Sequence, residues 1–201
     1  MKIRLLCLLI LNGVSWSKDL ATEDTNHYHS YEEARAVFRE YETRHPDLAK
    51  LHSIGQSVQG RELLVLQITR GAAAAREHGK PMFKWVANMH GNEAVGRQMV
   101  MFLAQHLLDN YGVEERVTRL VNTTDLWLMP SLNPDGFAAG HEGECDGMYS
   151  GGAGRENANR KDLNRDFPDQ FRDGHSQVDS SILTLTRGAL LHNVVKHDLH
   201  V

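Results

Sequence analysis

Apolar residues recur at helical spacing from Tyr31 to Glu42, with Ala34, Val37, Phe38 and Tyr41 on one face. Ser30 stands where an N-cap belongs, Glu32 and Glu33 suit a first turn, and Pro46 marks the end, so the pattern predicts a first helix. Residues 51–58 and 62–69 then alternate like two strands around Gln59-Gly60, which predicts a hairpin. The run Ala72 to Ala75 has no caps and reads as loop. Met82, Phe83, Trp85, Val86 and Ala87 read as a buried strand. From Glu93 to Asn110, the four-residue spacing of Val95, Met99, Leu103 and Leu107 predicts a helix packed along that face. A short helix over 113–121 and a strand over 124–130 follow. Asn133-Pro134-Asp135-Gly136 reads as a β-turn, because Pro in second place presets its dihedral angle and Gly fits the fourth. The Gly- and Asn-rich stretch 133–160 predicts a long loop of the functional kind. The elements together suit an α/β domain on a mixed β-sheet flanked by helices.

Composition narrows the functions. With 201 residues, 41% hydrophobic content and a formal net charge of −4, the chain suits one soluble domain and lacks the basic excess that nucleic-acid binding requires. A peptide or protein is the expected partner. Residues 1–17 carry Lys2 and Arg4 before an apolar stretch ending in small or polar residues, the pattern of a secretory signal peptide. That stretch falls well short of the roughly 20 residues a spanning helix needs, and no later segment is long and apolar enough, so a secreted or secretory-pathway product is expected. The sequon Asn122-Thr123-Thr124 agrees, making Asn122 a candidate glycosylation site. Once Cys7 leaves with the leader, Cys145 stands alone.

The candidate chemistry lies in three polar clusters, Asn88 to Glu93, Gly154 to Ala158, and Asp162 to Pro168. A His and a Glu three residues apart can ligate one divalent metal where a strand turns into a helix. The spacing itself has low specificity, since it also occurs at His29/Glu32 and His141/Glu144. Context selects His90 and Glu93, which sit between a predicted strand and a predicted helix. His29 and Glu32 belong to the entry of the first helix, and His141 and Glu144 to a solvated acidic loop. A guanidinium can clamp a carboxylate or stabilise a developing oxyanion, which are the candidate roles of Arg155 and Arg165. On the residues alone, Arg155 could equally be a surface residue, and Asn164-Arg165 could cap a turn beside Asp162 and Asp166.

The ordered segments YHSYEEA, SIGQSVQGRELLVLQI, ANMHGNE, DLWLMPSLNPDGF and GRENANRKDLNRDFPDQF, spread over residues 27–172, resemble the zinc metallocarboxypeptidases, in particular the regulatory N/E subfamily and its carboxypeptidase D branch. The resemblance implies a zinc-carboxypeptidase-like fold, Zn2+ held by His90 and Glu93, polarisation of the scissile carbonyl by Arg155, and capture of the substrate's terminal carboxylate by Asn164 and Arg165. It also implies a third zinc ligand in a His-Gly-Gly setting, a substrate-binding Tyr and a general-base Glu, whose motifs do not follow here. Residues 18–172 therefore read as the first part of a catalytic domain with an incomplete second half, and 173–201 as a divergent tail in which His197 is a poor substitute ligand. Two readings follow: a carboxypeptidase that removes C-terminal, by resemblance basic, residues and is weakened by the missing motifs, or a non-catalytic relative that binds peptides or regulates.

Overall fold

In a computed structural model the described residues are 27–143 and 153–165. The first helix, α1, spans Tyr31–Arg44 and starts as the sequence predicts. The Ser30 hydroxyl accepts from the Glu33 N–H while the Glu33 carboxylate accepts from the Ser30 N–H, a reciprocal cap that satisfies two otherwise orphaned donors. Ala34, Val37, Phe38 and Tyr41 are buried as predicted.

The hairpin forms from β1 (Ala49–Gln56) and β2 (Glu62–Ile68), antiparallel, with an irregularity between Ser53 and Gln56. Strand β3 covers Met82–Val86, helix α2 Ala94–Asp109, helix α3 Glu115–Thr123, strand β4 Asp125–Met129 and helix α4 Pro134–Ala139. The four strands make one mixed sheet in the order β1-β2-β4-β3, in which β4 pairs antiparallel with β2 and parallel with β3. Leu66, Ile68, Leu126 and Leu128 pack with α1, α2 and α3 in the main core, and Leu63, Val65 and Met129 form a smaller cluster on the opposite face. The Ala72 to Ala75 segment is a loop, as expected.

Three expectations need correction. Strand β3 exists but is an edge strand rather than a buried one, with Phe83 and Trp85 49% and 48% exposed among the described residues. Helix α2 exists, yet Val95 and Met99 are 62% and 51% exposed, and the buried face runs through Arg97, Val100, Met101, Ala104, Leu107 and Leu108. A strict spacing of four overshoots the 3.6-residue turn, so that row drifts around the cylinder, whereas mixed steps of three and four stay on one face. The Asn133 to Gly136 turn is instead the start of α4: Asn133 caps it by accepting from the Gly136 N–H at 2.9 Å, and Pro134 takes the first helical position.

Candidate metal and substrate site

Parallel strands β3 and β4 deliver two chain segments to the same end of the sheet, and the candidate site is built there. Beyond β3, Asn88 adopts the left-handed region at φ 54°, which Asn tolerates better than most side chains. Its amide donates to the carbonyls of His90, Gly91 and Glu93 at 2.8, 2.9 and 3.0 Å, and its carbonyl accepts from the Ser131 hydroxyl beyond β4 at 2.7 Å. One buried side chain therefore shapes the His90 to Glu93 turn.

Backbone closeness does the rest. A Cβ at Gly91 would lie 2.1 Å from the Gly136 carbonyl carbon and 2.1 Å from the Phe137 nitrogen, so only glycine lets the turn rest against α4. Gly154, at φ +88°, completes the contact: its carbonyl accepts from the Asn92 N–H at 3.1 Å, and a Cβ there would meet the Gly136 oxygen at 2.5 Å. The next residue is Arg155, which is how it reaches the His90 turn.

His90, Glu93, Arg155 and Asp162 converge. His90 is buried, and its Nδ1 lies 2.9 Å from Glu93 Oε1 while its Nε2 lies 2.9 Å from Asp162 Oδ1. Burial alone would raise the Asp162 carboxyl, but the Asn164 N–H, the hydrogen bond and charge of His90, and the charge of Arg155 outweigh it and hold the pKa at about 2. An ionised Asp162 only accepts, so His90 Nε2 donates to it and the ring is held with Nδ1 facing Glu93. Arg155 clamps Asp162 through Nε at 3.1 Å and Nη2 at 3.0 Å, and its Nη1 lies 3.3 Å from His90 Nδ1 and 3.5 Å from Glu93 Oε1.

A nitrogen and an oxygen donor facing one another at this distance, with the remote imidazole nitrogen fixed by a carboxylate, is a donor set that fits a divalent cation such as zinc. His90 and Glu93 are the two residues that would hold it. Among the described residues no group of three or more His, Cys, Asp or Glu side chains forms a metal cage.

Of the carboxylate-clamp candidates, the Asn164 N–H donates to Asp162 Oδ1 at 2.9 Å, the turn-capping contact weighed from sequence. Both Asn164 and Arg165 are exposed, and Arg165 Nε lies 3.8 Å from Asp162 Oδ2, so these side chains stand beside the site open to solvent. Asn122 lies elsewhere, near the end of α3, with its carbonyl oxygen accepting from the Tyr111 hydroxyl at 2.9 Å. Of the other His-x-x-Glu pairs, His29 is buried against Gln98, with its Nδ1 3.0 Å from Oε1, and Glu32 is exposed in an ion pair with Arg35 at 3.5 Å. His141 is exposed, while Glu144, Cys145, His197, the leader and the tail lie outside the described residues.

Asp162 and Arg97 were missed from sequence. Asp162 stood in view only as the neighbour of a turn, although a ligating histidine whose remote nitrogen needs an acceptor is a signal that could have pointed to it. Arg97, buried in the first turn of α2, donates to the carbonyls of His29 and Ser30 and lies over the Phe137 ring with its guanidinium carbon 4.1 Å from the centroid, tying the entry of α1 and α4 to the helix that follows Glu93. Burial lowers its pKa to about 10.

A family model described as zinc carboxypeptidase matches residues 34–189. Carboxypeptidase D of Drosophila melanogaster is 44% identical over 163 residues, covering 81% of this chain and 12% of that protein. Human carboxypeptidase D is 40% identical over 162 residues, 81% of this chain and 11% of that one, and mouse carboxypeptidase M 42% over 150 residues, 74% and 32%. The chain therefore spans only a minor part of these relatives. Among solved structures, thrombin-activatable fibrinolysis inhibitor superposes with a TM-score of 0.62 over 92% of this chain and 48% of its own at 18% identity, and carboxypeptidase A from Helicoverpa armigera with 0.57 over 85% and 42% at 24% identity, likenesses of fold.

Proposed function

This chain belongs to the zinc carboxypeptidase family, and from that membership we propose that it acts on peptides or proteins with a free C-terminus, hydrolysing the terminal peptide bond at the His90, Glu93 and Arg155 site. The observation that carries the reading is the convergence of His90 Nδ1 and Glu93 Oε1 at 2.9 Å beneath the Arg155 guanidinium. Zinc bound there supplies a lowered water pKa and polarisation of a carbonyl. The chain's own residues do the rest: Asp162 fixes the His90 tautomer, Arg155 presents N–H donors to an oxygen that gains charge, and the exposed Asn164 and Arg165 are the residues for the substrate carboxylate. The preference for Lys or Arg at the terminus, entry into the secretory pathway and glycosylation at Asn122 belong to the same reading. They are supported by the subfamily motifs, the leader pattern and the sequon. Among the described residues no helix is long and apolar enough to cross a membrane.

A second reading has a specific observation behind it. With two metal-donor side chains and no described cage of three, the site favours capture of a carboxylate by Arg155, Asn164 and Arg165 without turnover. One experiment separates the two. A peptide ending in free Arg and the same peptide ending in Arg-amide are offered to the zinc-loaded chain. The hydrolytic reading requires loss of Arg from the acid and none from the amide. Binding of the acid with no loss from either peptide supports the second reading and overturns the first.

A further inference from the structure

At the end of β4 opposite the His90 turn, a strand about 13 Å long by its rise, the sheet and the loop after β2 line a cavity of about 340 Å³, within the range of small-ligand sites. Its lining includes Gln67, Thr69, Lys80 and Asp125, all more than nine-tenths buried, with Arg70 and Arg76 at the rim. The four-alanine run of the loop makes room, because Ala74 and Ala75 line the cavity with side chains that fill little of it.

Two opposite charges in this lining keep unused hydrogen-bonding capacity. Asp125 is 1% exposed: its Oδ1 accepts from the Gln67 amide at 2.8 Å, whereas among the described residues its Oδ2 has no hydrogen bond and meets Arg76 Nε at 3.7 Å. Lys80 gives one N–H to the Arg70 carbonyl at 3.4 Å, a long contact for an ammonium that carries three donors. A buried carboxylate oxygen with no hydrogen bond is costly and calls for a donor, and the three cations of the lining, Lys80, Arg70 and Arg76, outnumber its two carboxylates, Asp125 and Glu77, which leaves a place for an anion.

We propose that this cavity is a second binding site, separate from the His90 site, for a small zwitterion whose ammonium seats against Asp125 Oδ2 and whose phosphate or carboxylate is held by Lys80, Arg70 and Arg76. The exposed Arg76 swings aside as the ammonium takes its place over Asp125. Nothing in this site takes part in peptide hydrolysis, so it stands or falls independently of the catalytic reading.

The test is a titration of the full chain with O-phosphoethanolamine followed by amide chemical shifts, with ethanolamine and inorganic phosphate as separate probes. Saturable shifts at Thr69, Gly71, Ala74 and Lys80, absent at His90 and Glu93, are expected, with binding weakened by about tenfold or more in Lys80→Met and in the exposed-rim variant Arg70→Gln. Because Arg70 lies on the surface, that variant keeps the fold and preserves the test if Lys80→Met does not. Three results overturn the proposal: no saturable shifts in the folded protein, shifts that both variants leave unchanged, or inorganic phosphate binding as tightly as the zwitterion, which would reduce the cavity to a simple anion site.

Discussion

Strand β4 separates two carboxylates with opposite histories. Near its C-terminal end, Asp162 accepts from His90, from the Asn164 N–H and from two nitrogens of Arg155, so its oxygens are bonded on both sides. At its N-terminal end, the more deeply buried Asp125 carboxylate has one hydrogen bond among the described residues, from Gln67. A saturated network fixes geometry before any ligand arrives, which is what a metal ligand and an oxyanion donor need. An unsaturated one is a standing cost that a ligand can relieve. Burial alone does not mark a working site; the completeness of the bonding around a charge says what kind of site it is.

The largest effect should come from breaking the packing that assembles the saturated end. Gly91→Ala places a methyl group inside backbone atoms of α4, which cannot move away as a flexible side chain could, and should destabilise the fold by more than about 3 kcal/mol in chemical denaturation. A variant of nearly unchanged stability would show that the close backbone approach is not what holds the site together. Next, Arg155→Met removes the donors facing His90 and Glu93 and should lower kcat/KM by roughly 10²–10³-fold in steady-state assays, with stability little changed. Asp162→Asn keeps the shape but loses the charge that holds the imidazole; zinc affinity, measured by competition with a chelating dye, should fall by roughly 10–100-fold.

Smaller effects sharpen the contrast. The entry of α1 supports the saturated end, because Arg97 holds the His29 and Ser30 carbonyls there. Ser30→Ala should cost about 1 kcal/mol in thermal unfolding. The Ser30 backbone N–H and then its hydroxyl keep the Glu33 carboxyl below its ordinary pKa of 4.5. That contribution to stability is complete above the ordinary value and is lost as pH falls through the lower folded one, so the gap between wild type and Ser30→Ala should narrow in acid unfolding. The smallest change should follow Asp125→Asn. The replacement amide still accepts from Gln67 and no longer buries an incompletely bonded charge, so stability should shift by about 1 kcal/mol or less, in contrast to the metal-affinity loss at Asp162.

Much of this arrangement was legible in the sequence, and the rest was hidden for physical reasons. The α1 cap and face were readable because capping and helical periodicity are local, and the His90 turn was readable because a strand pattern leads into it. Asp162 was not, because its contact with His90 spans 72 residues and depends on backbone packing that only glycines permit. Asn133 to Gly136 was ambiguous in principle, since the residues that favour a β-turn, Asn before Pro, are also those that start a helix. The exposed flank of β3 was misread because an apolar run signals burial without saying which neighbour provides it, and here the described residues cover one edge of the strand alone.

The most direct measurement of the central claim is incubation of the purified, folded chain with a peptide ending in Arg, followed by mass spectrometry with added zinc and with a chelator. The account predicts loss of a single terminal Arg with zinc and an intact peptide with chelator. A monodisperse, zinc-loaded sample that leaves the peptide whole would contradict it.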